Sequence, residues 1–320
     1  MQSFDNAARA LGIDWQLDAP LDGKQVQRWG EALGDAAVRR RDAEVAAYRA
    51  GARPAAPANG PALLVIGADG GRWQGREADP QTHSRWREDK VLTVTTYAPG
   101  DGGDRAPAPL VTTHAATAGD AHALGPIARV EAERRGYRQA EVVIGMGDGG
   151  NWIDPLFDRH FKLHARVIDW CHASEHLWDC ARAGGGTAAE SAQRGERLEA
   201  LLWDGRVDDV VAALAAESAR LGDPLADDPP DHPRVVLRRN VGYFTRHRPH
   251  MDYPAYRAKG WPVGSGVTEA GVKQFNKRVK GTEQSWSKPG VESILALRGA
   301  WVSQDGRWER FWADRPAYVN

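Results

Sequence analysis

Residues 62–71 read ALLVIGADGG, and residues 141–150 read EVVIGMGDGG. Each is a short apolar run that closes on an Asp followed by two glycines, the pattern of a buried strand ending at a loop. VLTVTTY (91–97) is rich in β-branched residues, Leu110 to His114 is a weaker strand candidate, and Arg166 to Ile168 is a short strand before Asp169. Helical spacing covers 121–135, 152–161 and 171–183, so the order is β-β-β-α-β-α-β-α. Three early strands in a meander followed by α-β-α-β units predict an α/β fold: a mixed five-stranded sheet with helices around it.

Working outward, residues 1–51 read as helices, with one over 4–11, one over 21–33 that opens at Asp22 in a cap-like position, and a charged one over 39–50. Helix, turn, helix is compatible with a DNA-reading module, although two amphipathic helices occur in many folds. ARPAAPANGPA (52–62) is rich in Pro, Ala and Gly and places a linker over 52–61. Residues 62–183 form the first part of the core. Residues 184–233 are polar and helical, broken by GGG (184–186) and DPLADDPPDHP (223–233), and read as an all-α insertion. Residues 234–320 are basic and helical and complete the core, with a basic helix over 267–280 after the glycine loop VGSG and a final helix pair over about 290–313.

The 320 residues are 42% hydrophobic and 27% charged, which is ordinary globular usage with length for about two domains. No run approaches the roughly 20 apolar residues of a membrane span, and MQSFDNAARALGIDW carries no basic segment followed by an apolar one. Cys171 and Cys180 are too few for a disulfide scaffold or a four-thiolate zinc site, which points to a reducing, cytoplasmic compartment. The net charge of -1 conceals a pattern. From His232 to Lys280 eleven Lys or Arg face two acids, and from Thr187 to Asp231 eleven acids face four Arg. Such a basic block fits either a phosphate-binding surface beside a solvated acidic neighbour or two solvated faces that cancel. The thirteen tryptophans suit a nucleic-acid or carbohydrate surface, or a packed core.

Asp69 and Asp148 share one context, since each closes a strand where burial of an unpaired carboxylate is costly. Two such strand ends at one sheet edge can converge on a divalent cation with oxygen ligands. Asp-Gly is also an ordinary turn signal. Glu269, in GSGVTEAGVKQFNKRVK, sits in a first helical turn where the helix dipole favours a negative charge, and apart from Asp252 it is the sole acid in the basic block. Three carboxylates could hold two metal ions about 3.5–4 Å apart for phosphoryl transfer. In DWCHASEHLWD (169–179), Asp169, His172 and His176 can share a helix face beside Cys171. Zinc ligation there lacks a second ligand pair elsewhere, so these residues read chiefly as structural or site-orienting.

The stretches GADGG around Asp69, GDGGNWI from Gly147, DWCHASEHLWD, YPAYRAKGWPVGSGVTEAGVKQFNKRVKGT from Tyr253 and QSWSKPGVESILALRGAWVSQDGRWERFW from Gln284 resemble insertion-sequence transposases of the ISKra group, over residues 60–313. These are DDE transposases with an RNase H-like catalytic domain, a fold with which the strand and helix order above agrees. The resemblance implies that Asp69, Asp148 and Glu269 are the catalytic acids and hold Mg²⁺, with Mn²⁺ as a substitute and two ions in all. It implies a positioning role for Asp169 and His172, and places the acidic 187–231 segment in the insertion. Residues 1–50 correspond to the last helices of a longer N-terminal DNA-binding region, so the chain is expected to be shortened there.

The implied reaction is hydrolysis of a phosphodiester at the element's ends followed by strand transfer. The partners are double-stranded DNA of the element ends and target, and further copies of the chain on that DNA, in a bacterial cytoplasm and at no membrane. Arg257, Lys259, Lys273, Lys277, Arg278 and Lys280 are the expected DNA contacts. Trp286 is either a platform for an unpaired base or a core residue. Two other readings are a catalytically silent DNA-binding remnant and an RNase H-type nuclease that cleaves without joining. No Walker or Rossmann glycine loop supports a small-molecule enzyme.

Overall fold

The computed structural model describes residues 4–14, 21–98, 100, 102, 106–281 and 284–314. Five strands make one sheet: β1 (Leu63–Gln74), β2 (Trp86–Tyr97), β3 (Pro109–Thr117), β4 (Val142–Gly147) and β5 (Ala165–Ile168). Their order is β3-β2-β1-β4-β5. β1, β2 and β3 form an antiparallel meander, while β4 runs parallel to β1 and β5 parallel to β4. Before the sheet come α1 (Phe4–Asp14) and α2 (Gly23–Arg49). Among its strands lie α3 (Ala121–Arg134) and α4 (Ile153–His160), and after it α5 (Trp170–Ala183), α6 (Ala188–Trp203), α7 (Val207–Leu221) and α8 (Pro233–His247). The chain closes with α9 (Tyr253–Ala258), α10 (Gly266–Val279), α11 (Lys288–Val302) and α12 (Arg307–Ala313). A meander of three strands extended by two parallel crossovers in this order is the RNase H-like fold.

Alternation along the strands sends side chains to two cores. Leu64, Ile66, Leu92 and Val94 pack with Leu124 of α3 and Phe157 of α4 on one face. On the other, Leu63, Val65, Ile144 and Met146 meet Leu177 of α5 and Leu237 and Phe244 of α8. Fully burying one such side chain contributes about 1.5–3 kcal/mol. The helices α6 and α8 pack on α5, and α7 packs on both α6 and α8. The first of them is fixed by a capping box in which Thr187 and Glu190 each accept from the other's backbone N–H.

Three features differ from the sequence reading. β1 does not end at Asp69. It continues to Gln74, with Asp69 opposite Val91, Gly70 opposite Lys90 and Gly71 opposite Asp89. The glycines leave room for the neighbouring strand rather than making a turn, since a Cβ on Gly70 would lie 2.4 Å from Glu88 Oε1 and one on Gly71 2.6 Å from Asp89 Oδ2. The segments 21–33 and 39–50 are one 27-residue helix, α2, whose Gly34 lies against Ser293 of α11 closely enough that a Cβ would be 2.5 Å from its carbonyl oxygen. The basic block is also not a free cationic surface throughout. On α8 and just beyond it, Arg234 pairs with Asp228 at 2.8 Å, Arg248 with Asp208 at 2.8 Å, and Arg238 with Asp223. The acidic segment thus neutralises the first part of the basic one. The loop 98–109 lies partly outside the described residues. Among the described residues, no helix is long and apolar enough to cross a membrane.

Candidate active site

Asp69 stands in the middle of β1, flanked on its own face by Gly67 and Gly71. Its Oδ1 accepts from the Gly70 N–H at 2.6 Å. Its pKa is raised to about 6, chiefly by burial, with the charges of Asp148 and Glu269 adding to the rise and the Gly70 N–H and His172 opposing it. The three acids therefore share one electrostatic environment, although they come from β1, from the residue after β4, and from α10. Among the described residues, no Lys or Arg pairs with Asp69 or Asp148.

The loop after β4 is locked from three directions. Asp148 Oδ1 accepts from the Gly150 N–H at 2.8 Å, and the Tyr243 hydroxyl of α8 donates to the Asp148 carbonyl at 2.9 Å. Arg246 donates to Asn151 Oδ1 at 3.0 Å and to the Gly149 carbonyl at 3.3 Å. Gly149 has φ +87° and abuts the His247 ring, with 2.8 Å left between a built Cβ and Nε2, so glycine is required by backbone and by space alike.

Glu269 is delivered by the seating of α10 on the sheet. Thr268 Oγ1 and Thr93 Oγ1 of β2 are hydrogen-bonded at 2.8 Å, and Thr268 occupies the space above Gly67, where a Cβ would come 2.0 Å from its hydroxyl. The residue before Glu269 is thus hydrogen-bonded to β2 and packed over β1, the strand that carries Asp69. At the exposed side Lys273 reaches Glu269 Oε2 at 3.3 Å.

Asp169 is fully buried and caps α5. Its Oδ1 accepts from the His172 N–H at 2.9 Å, and its Oδ2 from the Ser265 N–H immediately before α10. One carboxylate therefore ties the start of α5 to the start of α10. His172 is partly buried, which disfavours its charged form, but Asp169, Asp148, Asp69 and Glu175 outweigh this and raise its pKa. His176 turns elsewhere: its Nδ1 lies 2.7 Å from Asn240 Oδ1 and its ring stacks on Tyr243 at 4.1 Å. Donor atoms of Asp169, Cys171 and Glu269 lie within 4.8 Å of one another, a group able to hold a metal ion. Both Asp169 oxygens already accept backbone N–H bonds, which suits that residue to positioning.

Of the expected DNA contacts, Lys273 and Lys277 are exposed along α10, Lys280 is exposed just past its end, and Lys259 is exposed over the Trp261 ring at 4.6 Å. Arg257 is partly buried over Trp203 at 4.0 Å. Arg278 is partly buried too, its guanidinium over Phe4 at 4.5 Å and Trp286 at 5.7 Å. Trp286 is a core residue, 5% exposed, and cannot serve as an open platform for a base. Its indole N–H donates to the Val279 carbonyl at 3.2 Å, and its backbone pairs with the end of β1.

No protein-family model and no curated protein matches the chain. Solved structures that match include the Drosophila P element transposase strand transfer complex, similar over 74% of this chain and 76% of that one, with 8% identity and a TM-score of 0.31.

Sequence reasoning passed over several residues that build the site. Tyr243 and Arg246 sit within the basic helical segment that follows the insertion, where nothing local marks them off from their neighbours. Gly67 and Thr268 lock together across 201 residues of chain, and neither alone signals the contact. Asp89, in the charged run REDK (87–90), is fully buried opposite Gly71, with no hydrogen-bond partner for its carboxylate outside its own backbone. Burial pushes its pKa up to about 7, and Glu88 and Asp69 add to the rise against Lys90.

Proposed function

We propose that the protein is a DDE-type transposase of the ISKra insertion-sequence group, cleaving DNA at transposon ends and joining it to a target. The observation that carries the reading is that Asp148, after β4, and Glu269, on α10, both act electrostatically on Asp69 in β1 of an RNase H-like sheet. Carboxylate oxygens without a paired Lys or Arg at Asp69 and Asp148 suit a hard divalent cation. Asp69, Asp148 and Glu269 would hold Mg²⁺, or Mn²⁺ in its place, in a pair of ions. When bound, such ions activate an oxygen nucleophile and stabilise the leaving oxygen of an in-line phosphoryl displacement.

The chain's own residues set the frame for that chemistry. Asp169 holds α5 and α10 together and so aims Glu269, while Tyr243 and Arg246 hold the loop that presents Asp148. His172 places a protonatable ring within the field of the carboxylates. Exposed Lys273, Lys277 and Lys280 would contact the DNA backbone, giving affinity that falls with salt and carries no base specificity. In the first step water adds to the phosphorus and the 3′-oxygen leaves, taking up a proton to become a 3′-hydroxyl. In the second, that hydroxyl attacks a target phosphodiester and expels the target's own 3′-oxygen. Multiple copies of the chain on paired DNA ends complete the proposal.

The test is cleavage and joining of labelled element ends with Mg²⁺ or Mn²⁺. Joined products are expected for the wild-type protein and none for Asp148→Ala. Nicking without joining, lost in the variant, would replace the reading with a nuclease. DNA binding without metal-dependent product in either protein would replace it with a silent remnant.

A further inference from the structure

A cavity of about 660 Å³ opens between α2, the 52–57 segment, the end of α3, β3 and α12. None of Asp69, Asp148, Asp169 or Glu269 lines it, whereas seven arginines do. Five of these have carboxylate partners. Arg40 meets Asp314 at 3.0 Å, Arg41 meets Glu292 at 2.5 Å, and Arg134 meets Glu131 at 2.6 Å. Arg307 meets Asp305 at 2.8 Å and Arg310 meets it at 3.7 Å. The acids that line the cavity are Glu44, Glu131 and Asp305, and each is already engaged, Glu44 by Arg134 at 2.6 Å.

Arg53 and Arg135 remain, with no carboxylate partner among the described residues. Arg53, at the exposed rim, donates to the carbonyls of Gly51 and Ala52 and lies over Tyr48 at 5.0 Å. Arg135 is partly buried, its Nε is shut off from solvent without a partner, and its other contact is a long one of 3.4 Å to Thr96 Oγ1. His114, also on the wall, has an unpartnered buried Nδ1, and burial drives its pKa down to about 4, so it adds no charge at neutral pH. Asp305 and Glu131 act on Arg135 only at longer range, and their close contacts go to other arginines. Two guanidiniums without an ion pair at a concave, small-molecule-sized cavity fit a compact anion, because guanidinium–phosphate hydrogen bonds are charge-assisted and directional.

We propose that this cavity binds a small phosphate-bearing anion of di- or triphosphate size, held by Arg53 and Arg135. The site is separate from the carboxylates and does not depend on the transposase reading. The probe is sodium tripolyphosphate, titrated calorimetrically into the full chain in EDTA, so that no metal ion can recruit phosphate to Asp69, Asp148 and Glu269. Saturable one-to-one binding is expected. Arg135→Gln and the rim variant Arg53→Gln should each weaken it about tenfold or more, the loss of one charge-assisted contact. Asp148→Asn should bind as the wild type does. Absence of saturable heat overturns the proposal, as does unchanged affinity in folded Arg53→Gln, or loss of binding in Asp148→Asn. Binding of a short DNA duplex without binding of tripolyphosphate assigns these arginines to a nucleic-acid backbone and overturns it equally.

Discussion

Asp89 shows how one carboxylate can work against the fold. Its folded-state pKa of about 7 lies above the model-peptide 3.8, so the native protein holds its proton more tightly than the unfolded chain. The resulting cost is absent below about pH 4 and fully present once the pH exceeds 7. Asp89→Asn is therefore expected to stabilise the protein at pH 8 by roughly 1–3 kcal/mol, with the gain shrinking as the pH falls from 7 to 4. Urea unfolding of both proteins across that range checks it. Gly67 poses the opposite case, a position where an added atom has nowhere to go. Gly67→Ala would drive a methyl into Thr268 and Thr93, costing about 1–3 kcal/mol and lifting α10 together with Glu269. Denaturant midpoints and Mn²⁺ affinity should fall together. Neither residue was legible in the sequence: REDK reads as a solvated charge run, and the partner of Gly67 lies far along the chain. Asp69, Asp148 and Glu269 stood out because each departs from its local background, two acids against apolar strands and one among cations.

At the level of elements, the five strands and their order could be read from β-branched runs and from helical periodicity, since both are local signals. The length of β1 could not. Asp-Gly-Gly carries a strong turn signal, and it is the side chains of Glu88 and Asp89 on the neighbouring strand that make glycine fit inside a strand. The continuity of α2 was hidden for a similar reason, because Gly34 reads as a break until Ser293 of α11 is seen against it. α10 does three things with one helix. Its first turn presents Glu269, its inner face buries Val272, Phe275 and Val279, and its outer face exposes Lys273 and Lys277, with Lys280 exposed just past its end. Charge counting along the chain identified the basic block but not its division. Arginines of the α8 region answer the acidic segment, while those exposed lysines do not.

Across the whole molecule, the C-terminal segment is fastened to the centre by a buried ion cluster. Arg307 donates to Glu131 of α3 at 2.9 and 2.5 Å and to Asp305 at 2.8 Å. Burial would push Glu131 up, but Arg307 and Arg134 outweigh it and hold its pKa at about 2. A carboxylate depressed in this way contributes stability above its unfolded value of 4.5, and the contribution is lost as the pH falls towards 2. Glu131→Gln leaves Arg307 with Asp305 as its remaining carboxylate partner and should cost about 2–3 kcal/mol at pH 7, less than stripping a buried charge of every partner. The deficit should narrow between pH 4.5 and 2, as followed by calorimetry or urea unfolding.

The same global view sets the central claim, that three acids far apart in sequence form one divalent-cation site. Mn²⁺ binding by electron paramagnetic resonance measures it directly, on the wild type, Asp69→Asn, Asp148→Asn, Glu269→Gln and Cys171→Ser. Loss of high-affinity Mn²⁺ in each of the three carboxylate variants, with Cys171→Ser unaffected, is the predicted result. Retention of binding in Asp69→Asn and Asp148→Asn, with loss in Cys171→Ser, would contradict the account and move the metal to Asp169, Cys171 and Glu269.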